Sequence, residues 1–311
     1  KSGSSVSSGF LSPDGGLNAF KLVEDTSTGL HSVAKINFNV IAEKYSASIY
    51  VKPNGRNEVR LTLDNYFIFP TYTTFNLDTG IVTLSAEAEN GKIETLQNGW
   101  FRCSFTSKSV AIAGSGGKLF IQTSVNLNTP YQGDGTSGVY IYGAQVEQNS
   151  YATSYIPTQG AISTRNQELC IDATPVINSE EGTLYAEISA LANDLTNRKI
   201  SISNGSSTQR ILLSYSTISN ALVFQVVNST LQVNLSYILT DIKLLTKVAV
   251  KWKLNNFALW VNGVEVAIDS SGLTPIGLTE LSFDRGFAGE NFFGNTKGLK
   301  VYPKALADVQ L

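Results

Sequence analysis

Apolar and polar side chains alternate along short segments throughout the chain. In YSASIYV (45–51) and KVAVKWKL (247–254), every second residue is apolar. This period of two predicts β-strands with one buried face. Turn sequences such as Asp78-Thr79-Gly80 and Asn262-Gly263 separate apolar runs and predict tight hairpins. Apart from one short turn in KALADVQL (304–311), no apolar repeat predicts a helix, so the expected fold class is all-β.

A change of pattern near the middle of the chain predicts two domains. The segment GDGTSGVYIYGAQVEQNSYATSYIPTQGAISTR (133–165) begins as an alternating strand, which Gly143 interrupts. After Pro157 the chain becomes polar and loses its period. A length of 311 residues also favours two domains over one. We therefore expect two tandem β-sandwich (jelly-roll) domains, residues 1–160 and 161–311, joined by a hinge.

The composition excludes several classes of function. Only 15% of the residues are charged and the formal net charge is -2, so the basic face required for nucleic-acid binding is not expected. No apolar run approaches the ~20 residues of a membrane-spanning helix. An uncharged polar surface suits uncharged polar ligands or a densely packed assembly. The chain has no methionine and begins at Lys1 in mid-pattern, which indicates a piece of a longer protein.

Residues for nucleophilic catalysis or zinc binding are scarce. His31 is the only histidine, and its place in a candidate strand favours a structural or surface role over a catalytic one. Cys103 and Cys170 lie in different predicted domains within apolar patterns, so we expect buried free thiols rather than a disulfide. Carboxylates such as Glu187 and Asp284 leave glycoside cleavage open, although solvated acids at strand ends are the simpler explanation. We therefore do not expect an enzyme.

Aromatic side chains are the candidate binding residues. Sugar rings stack on tryptophan and tyrosine, while their hydroxyl groups bond to polar side chains. Counting along FALWV, Trp260 points away from Phe257 and Leu259. Core packing or a subunit contact is the alternative for each position. The candidate glycan-binding residues are Trp260, Tyr66, Tyr72, Tyr131 and Tyr142.

Calcium is the one metal for which the sequence offers candidate ligands. Calcium needs oxygen ligands gathered on loops. Such a group forms only if the two ends of the first domain meet, and turn-forming aspartates are the alternative explanation. No other cofactor is expected. The candidate calcium ligands are Asp14, Glu24, Asp25 and Asp134.

Several segments of the first half resemble a known family. They are LVEDTSTGLHSV (22–33), YSASIYVKPNGRNEVRLTL (45–63), FNLDTGIV (75–82), NGWFRCSFT (98–106) and GDGTSGVYIYGAQVEQNSYATSYIPT (133–158). In order, they resemble the carbohydrate-binding-like jelly-roll domain of bacteriophage tail fibres and other tail-associated proteins. The most specific piece is the closing GAQ-E…ATSYIPT signature from Gly143 to Thr158, in which Val146 replaces the usual leucine.

The second half is similar to a concanavalin A-like or laminin-G-like sandwich. The matching segments are EGTLYAEISA (181–190), KVAVKWKLNNFALWVNGVEV (247–266) and ENFFGNTKGLKVYPKALADVQL (290–311). Neither family carries a universal catalytic set, so the resemblance assigns no catalytic residue.

Both resemblances imply a glycan-binding or virion-structural module. The leading hypothesis is a non-enzymatic fibre or receptor-binding protein of the virion tail, with bacterial surface polysaccharide and other tail proteins as partners. By the same resemblance, we expect a homo-oligomer. Phage fibres are commonly trimers, so the expected oligomer is a trimer. The alternatives are a purely structural tail module and the carbohydrate-binding part of a secreted bacterial polysaccharide-acting protein.

Overall fold

The computed structural model describes residues 1–158, 162–163 and 175–310, apart from the side chains of residues 35–37. The chain divides into two compact units, Lys1–Arg165 and Asn166–Leu311. The predicted domain boundary, most of the predicted hinge and Cys170 lie outside the described residues. Nearly all regular structure is antiparallel β-strand, which confirms the all-β prediction. The described residues include no helix long and apolar enough to cross a membrane.

The first unit is built from two larger sheets and one small one. Its strands are β1 (Ser4–Phe10), β2 (Ala19–Glu24), β3 (Thr28–Gly29), β4 (Ser32–Val40), β5 (Ser46–Asn54), β6 (Glu58–Asp64), β7 (Tyr72–Asn76), β8 (Val82–Leu84), β9 (Ala88–Thr95), β10 (Phe101–Ser107), β11 (Gly114–Ser124), β12 (Tyr131–Gln132) and β13 (Gly138–Glu147). The sheet orders are β1-β2-β13-β5-β10-β9, β4-β11-β6-β7-β8 and β12-β3. A short 3₁₀ turn lies at Gln97–Gly99.

One apolar cluster joins the two large sheets, as expected of a sandwich. The predicted inward face of YSASIYV is buried there, with Ile49 and Val51 packed in the same cluster as Leu61 and Phe75. Cys103 is buried in this core as a free thiol, which agrees with the prediction for that residue. Burial raises the pKa of its thiol well above the ordinary range.

The second unit contains two five-stranded sheets. Its strands are β14 (Glu181–Ala190), β15 (Arg198–Ser203), β16 (Gln209–Tyr215), β17 (Ala221–Asn228), β18 (Thr230–Ile238), β19 (Thr246–Lys253), β20 (Phe257–Val261), β21 (Val264–Asp269), β22 (Glu280–Ser282) and β23 (Gly294–Tyr302). The sheet orders are β21-β20-β19-β14-β23 and β18-β17-β16-β15-β22. A cluster of buried residues from both sheets forms its core. A 3₁₀ turn at Asp308–Gln310 stands where the sequence predicts a short helical turn.

Strand β19 shows where the alternation is followed and where it is not. Val248, Val250 and Trp252 lie in the core as predicted. Leu254 was expected beside them but is exposed, because β19 ends at Lys253 and the hairpin begins there. The opposite face of β19 is not uniformly exposed to solvent. Lys251 is only 6% exposed, and its Nζ lies 2.7 Å from the Asp308 carboxylate of the closing segment.

Candidate functional site

A hollow lies on the outer face of sheet β21-β20-β19-β14-β23. Along β20, Phe257 and Leu259 belong to the core. Trp260 instead packs with Ala249 and Ala258 in a separate outer cluster, as pair counting predicts. The side chain of Trp260 is therefore placed outside the sandwich core by the period of its own strand.

The register of three neighbouring strands creates the hollow. Ala249 of β19 pairs with Trp260 of β20 on one side and with Tyr185 of β14 on the other. Because the alanine is much shorter than either aromatic neighbour, the row leaves space above it. The resulting pocket has a volume of 170 Å³ and is lined by Tyr185, Lys247, Val248, Ala249, Trp260, Asn262 and Gly263.

The walls of this pocket combine aromatic surface with polar groups. Trp260 is 9% exposed, so it offers the hollow only a small part of its ring. Tyr185, which is half-buried, supplies the opposite aromatic wall. The Nε1 of Trp260 is buried and has no hydrogen-bond partner among the described residues. An unpaired buried donor costs about 1–3 kcal/mol.

The rim of the pocket is fixed by the turn between β20 and β21. Asn262 adopts a positive φ of 51° followed by Gly263 at 80°, the geometry that an Asn-Gly hairpin turn favours. Its backbone N–H donates to Lys247 O at 2.8 Å, and its Oδ1 accepts from the Lys247 N–H at 3.1 Å. The exposed Lys247 makes no ion pair with any other described residue. The Lys247 ammonium and the Asn262 amide therefore lie beside the hollow.

Two of the predicted glycan-binding tyrosines serve internal contacts. Tyr131 is buried, and its hydroxyl donates to Glu24 Oε2 at 2.6 Å. Burial, followed by this bond to Glu24, raises the pKa of Tyr131 to about 12. The Tyr142 hydroxyl donates to Asp14 Oδ2 at 2.5 Å, and its ring lies 5.4 Å from that of Tyr155. The hydroxyl groups of both tyrosines are therefore engaged within the unit, and a glycan contact by the Tyr142 ring stays a prediction.

Tyr72 and Tyr66 lie nearer the surface of the first unit. The guanidinium of Arg60 covers the Tyr72 ring at 4.3 Å. That same guanidinium donates to Leu127 O at 2.7 Å, so it is committed to the loop after β11. Tyr66 is 37% exposed with a positive φ of 66°. Its ring lies over Gly114, where any side chain would clash with it. A glycan contact by either tyrosine stays a prediction.

The predicted calcium ligands are only partly brought together. Glu24 and Asp134 do meet, and the Arg56 guanidinium bonds to both carboxylates. The Asp134 N–H also donates to Glu24 Oε1 at 2.8 Å. Asp14 instead bonds with Ser12 and Tyr142, and Asp25 accepts from Ser27. Within the described part of the chain, no three His, Cys, Asp or Glu side chains form a group that could hold a metal ion.

Electrostatics around Glu24 follow from this pairing. Burial alone would raise the pKa of the carboxyl, but hydrogen bonds from Arg56, Tyr131 and the Asp134 N–H outweigh it and hold the pKa below its ordinary value. Arg56 fills the place between the carboxylates that a cation would take. The sequence places the acids correctly at one end of the unit but gives no sign of this arginine.

The candidate catalytic groups are dispersed or engaged. His31 is fully buried, with Nδ1 2.5 Å from Gly3 O and Nε2 3.2 Å from Tyr131 O, which agrees with a structural role. Glu187 lies on β14 and bonds with Lys297. Asp284 follows β22 in the other sheet, and its Oδ1 accepts from the Gly286 N–H at 2.6 Å. These carboxylates therefore belong to different sheets.

The closing signature of the first unit fastens the chain to the sheet it has just left. Gln145 Oε1 accepts from the Ile156 N–H at 2.9 Å, and Glu147 Oε2 accepts from the Thr153 N–H at 3.0 Å. From β5, Ser46 Oγ donates to Tyr151 O at 2.9 Å. The glutamine and glutamate of GAQ-E thus bind the backbone of ATSYI, which gives this motif a structural explanation.

Three residues of the pocket were missed by sequence reasoning: Tyr185, Lys247 and Asn262. Each lies within a segment that was correctly read as strand or turn. What the sequence lacked was the pairing register that sets β14 beside β19. The alternation of apolar and polar residues places Tyr185 on the outer face of β14. Together with the pairing of β14 and β19, this alternation would have identified Tyr185 as a pocket residue.

Comparisons with known proteins bear on the architecture. No protein-family model matches the chain, and no curated protein matches it. Among solved structures, it is similar to the carbohydrate-binding module of Ruminococcus gnavus IT-sialidase, CBM40, bound to alpha2,3 sialyllactose. Identity there is 17%, covering 43% of this chain and 82% of that chain, with a TM-score of 0.37. A second structure of Ruminococcus gnavus IT-sialidase CBM40 gives the same values.

A second likeness extends over most of the chain. Mouse laminin alpha1 chain, domains LG4-5, is 9% identical, covering 91% of this chain and 92% of that chain, with a TM-score of 0.32. At these identities and TM-scores, neither likeness assigns a property to this chain.

Proposed function

We propose that this chain is a non-enzymatic glycan-binding module and that the pocket beside Trp260 receives one sugar ring. The observation that carries the proposal is the row Trp260–Ala249–Tyr185, in which two aromatic side chains flank a hollow left by the alanine. A volume of 170 Å³ is below the ~300–1,000 Å³ of sites for drug-sized ligands, so a single ring is the appropriate occupant.

The chemistry of the walls suits a sugar. The apolar face of a pyranose packs against aromatic surface. Hydroxyl oxygens accept hydrogen bonds, and the Nζ of the exposed Lys247 is a donor that makes no ion pair with another described residue. A site with one ring and few polar contacts binds weakly, about the millimolar range, which corresponds to ~4 kcal/mol.

The biological setting we propose is the tail of a bacteriophage. The support is the resemblance of the first half to tail-associated jelly-roll domains, above all the GAQ-E…ATSYIPT signature. In such a setting, repeated copies in a homo-oligomer convert weak single sites into firm attachment to bacterial surface polysaccharide. The structural tail module and the secreted polysaccharide-acting protein are the alternatives for the same fold.

An array of bacterial surface polysaccharides tests the proposal. We expect saturable binding by the intact chain, reduced about tenfold in Trp260→Ala, since losing the aromatic wall removes ~1.4 kcal/mol. Tyr237→Ala is the matched control, because Tyr237 is an exposed aromatic residue on β18 of the other sheet and should bind normally.

Two results would reject the proposal. One is equal loss of binding in Trp260→Ala and Tyr237→Ala, which would indicate a general effect on the fold. The other is the absence of saturable binding to any saccharide, which would favour the structural tail module.

A further inference from the structure

The loop between β22 and β23 lies against the outer face of the sheet β18-β17-β16-β15-β22 in the second unit. Ser203 Oγ donates to Gly286 O at 3.1 Å, and the Lys199 N–H donates to Glu290 O at 3.1 Å. Gly286 has a φ of 91°, and a Cβ there would approach Ser203 Cβ to 2.9 Å. The close contact therefore fixes the loop on β15.

This loop brings two arginines onto one aromatic ring. The Cζ of Arg285 lies 4.2 Å from the centroid of Phe287, and the Cζ of Arg210, on β16, lies 5.0 Å from it. The Arg210 Nη1 also donates to Arg285 O at 2.8 Å. Phe287 itself is 37% exposed, so the pair of guanidinium groups lies at the surface.

No carboxylate of the described chain forms an ion pair with either guanidinium. Glu290, the nearest acid in sequence after the ring, pairs with Lys199 at 2.8 Å and accepts from Asn197 at 2.9 Å. Asp284 accepts from the Gly286 backbone. The acids around the loop thus make their direct contacts elsewhere, and Glu290 acts on the two guanidinium groups only through its charge at longer range.

The arrangement is costly without a partner. The Arg210 Nε is buried and has no hydrogen-bond partner among the described residues. Burial, then the neighbouring charge of Arg285, lowers the pKa of Arg210, and only Glu290 opposes this. Arginine presents its N–H groups in a planar fork that matches oxyanions. An anion placed between the two guanidinium groups would offset both the repulsion and part of the desolvation.

We infer that Arg210, Arg285 and Phe287 form a binding site for an oxyanion, that is, a carboxylate, sulfate or phosphate group. That a saccharide chain carries this group rests on the proposed function. The site is independent of the proposed sugar pocket, which lies on the other sheet. The formal net charge of the chain is -2, so the overall charge of the protein would not attract an anion to this site. Any such attraction must come from the two arginines.

The test titrates the intact chain with inorganic sulfate, inorganic phosphate, an oligogalacturonate and a neutral oligogalactoside of equal length. Binding is followed by calorimetry and by the arginine Nε–Hε resonances. We expect the anionic probes to bind and the neutral one to leave the Arg210 resonance unmoved. The sulfate, phosphate and uronate arms identify which oxyanion is preferred.

Variants decide whether the arginines carry this binding. Arg210→Gln and Arg285→Gln should each weaken it at least tenfold, and Arg285→Lys should weaken it less because the charge remains. Lys243→Gln is the matched control, since it removes an exposed cation that pairs with Asp241. Undiminished binding in both glutamine variants, or equal loss in Lys243→Gln, would overturn the inference. Trp260→Ala should not alter anion binding, so this proposal and the sugar pocket fail separately.

Discussion

At the scale of single residues, Glu24 shows how the first unit manages a buried charge. Its side chain is 2% exposed, and Arg56, Tyr131 and the Asp134 backbone saturate its oxygens. The sequence allowed acids from both ends of the unit to meet, and two of the four candidates, Glu24 and Asp134, do so. It could not reveal Arg56 between them, because that contact joins positions far apart in the chain.

Glu24→Gln tests this network through pH. The folded-state pKa of Glu24 lies below its ordinary value, so the ionised carboxylate stabilises the fold above the unfolded pKa. That contribution is lost as the pH falls through the folded pKa. We expect the substitution to lower the free energy of unfolding by about 3 kcal/mol at neutral pH and to flatten its decline in acid.

The measurement is thermal unfolding followed by circular dichroism from about pH 3 to about pH 7, the range in which carboxyl groups titrate. Glu43→Gln is the control, because that exposed glutamate makes no ion pair with a described residue. An unchanged slope of stability against pH in Glu24→Gln would show that another carboxyl governs acid unfolding.

At the scale of elements, periodicity predicted the strands and failed where distant segments cover them. The inward faces of YSASIYV and KVAVKWKL follow from a period of two. The burial of Lys251 does not, because the segment that covers it lies at Asp308, far along the chain. The pocket beside Trp260 follows the same rule. Trp260 was found from its own strand, whereas Tyr185 and Lys247 required the pairing register.

Gln145→Ala tests the structural explanation of the closing signature. Removing the amide oxygen that receives the Ile156 N–H should release the segment from 150 to 158. We expect its amide hydrogens to exchange about tenfold faster, the factor that ~1.4 kcal/mol of lost protection gives, while the core strands are unaffected. Mass spectrometry of peptides from this segment makes the measurement. Gln97→Ala, at an exposed glutamine of the same unit, should leave the segment protected.

At the scale of the whole molecule, two β-sandwich units present different surfaces. The first commits its predicted aromatic residues largely to internal contacts, as Tyr131 and Tyr142 show. The second carries both the pocket beside Trp260 and the arginine pair. Composition suited an uncharged polar ligand or a densely packed assembly, and it gave no indication of which unit would hold a ligand. Our proposal for the second unit rests on the shape left by Ala249 between two rings.

The central claim is that the pocket beside Trp260 receives a sugar. The NMR resonance of the Trp260 indole N–H tests this claim most directly. The chain has 3 tryptophans. Trp100 is buried, and the Trp252 Nε1 donates to Asn178 O at 3.2 Å, so both serve as internal references. In a titration with hexoses and N-acetylhexosamines, we predict a saturable shift of the Trp260 indole signal while the other two stay fixed. If all three signals stay fixed, or move together, the pocket is not the site of glycan binding.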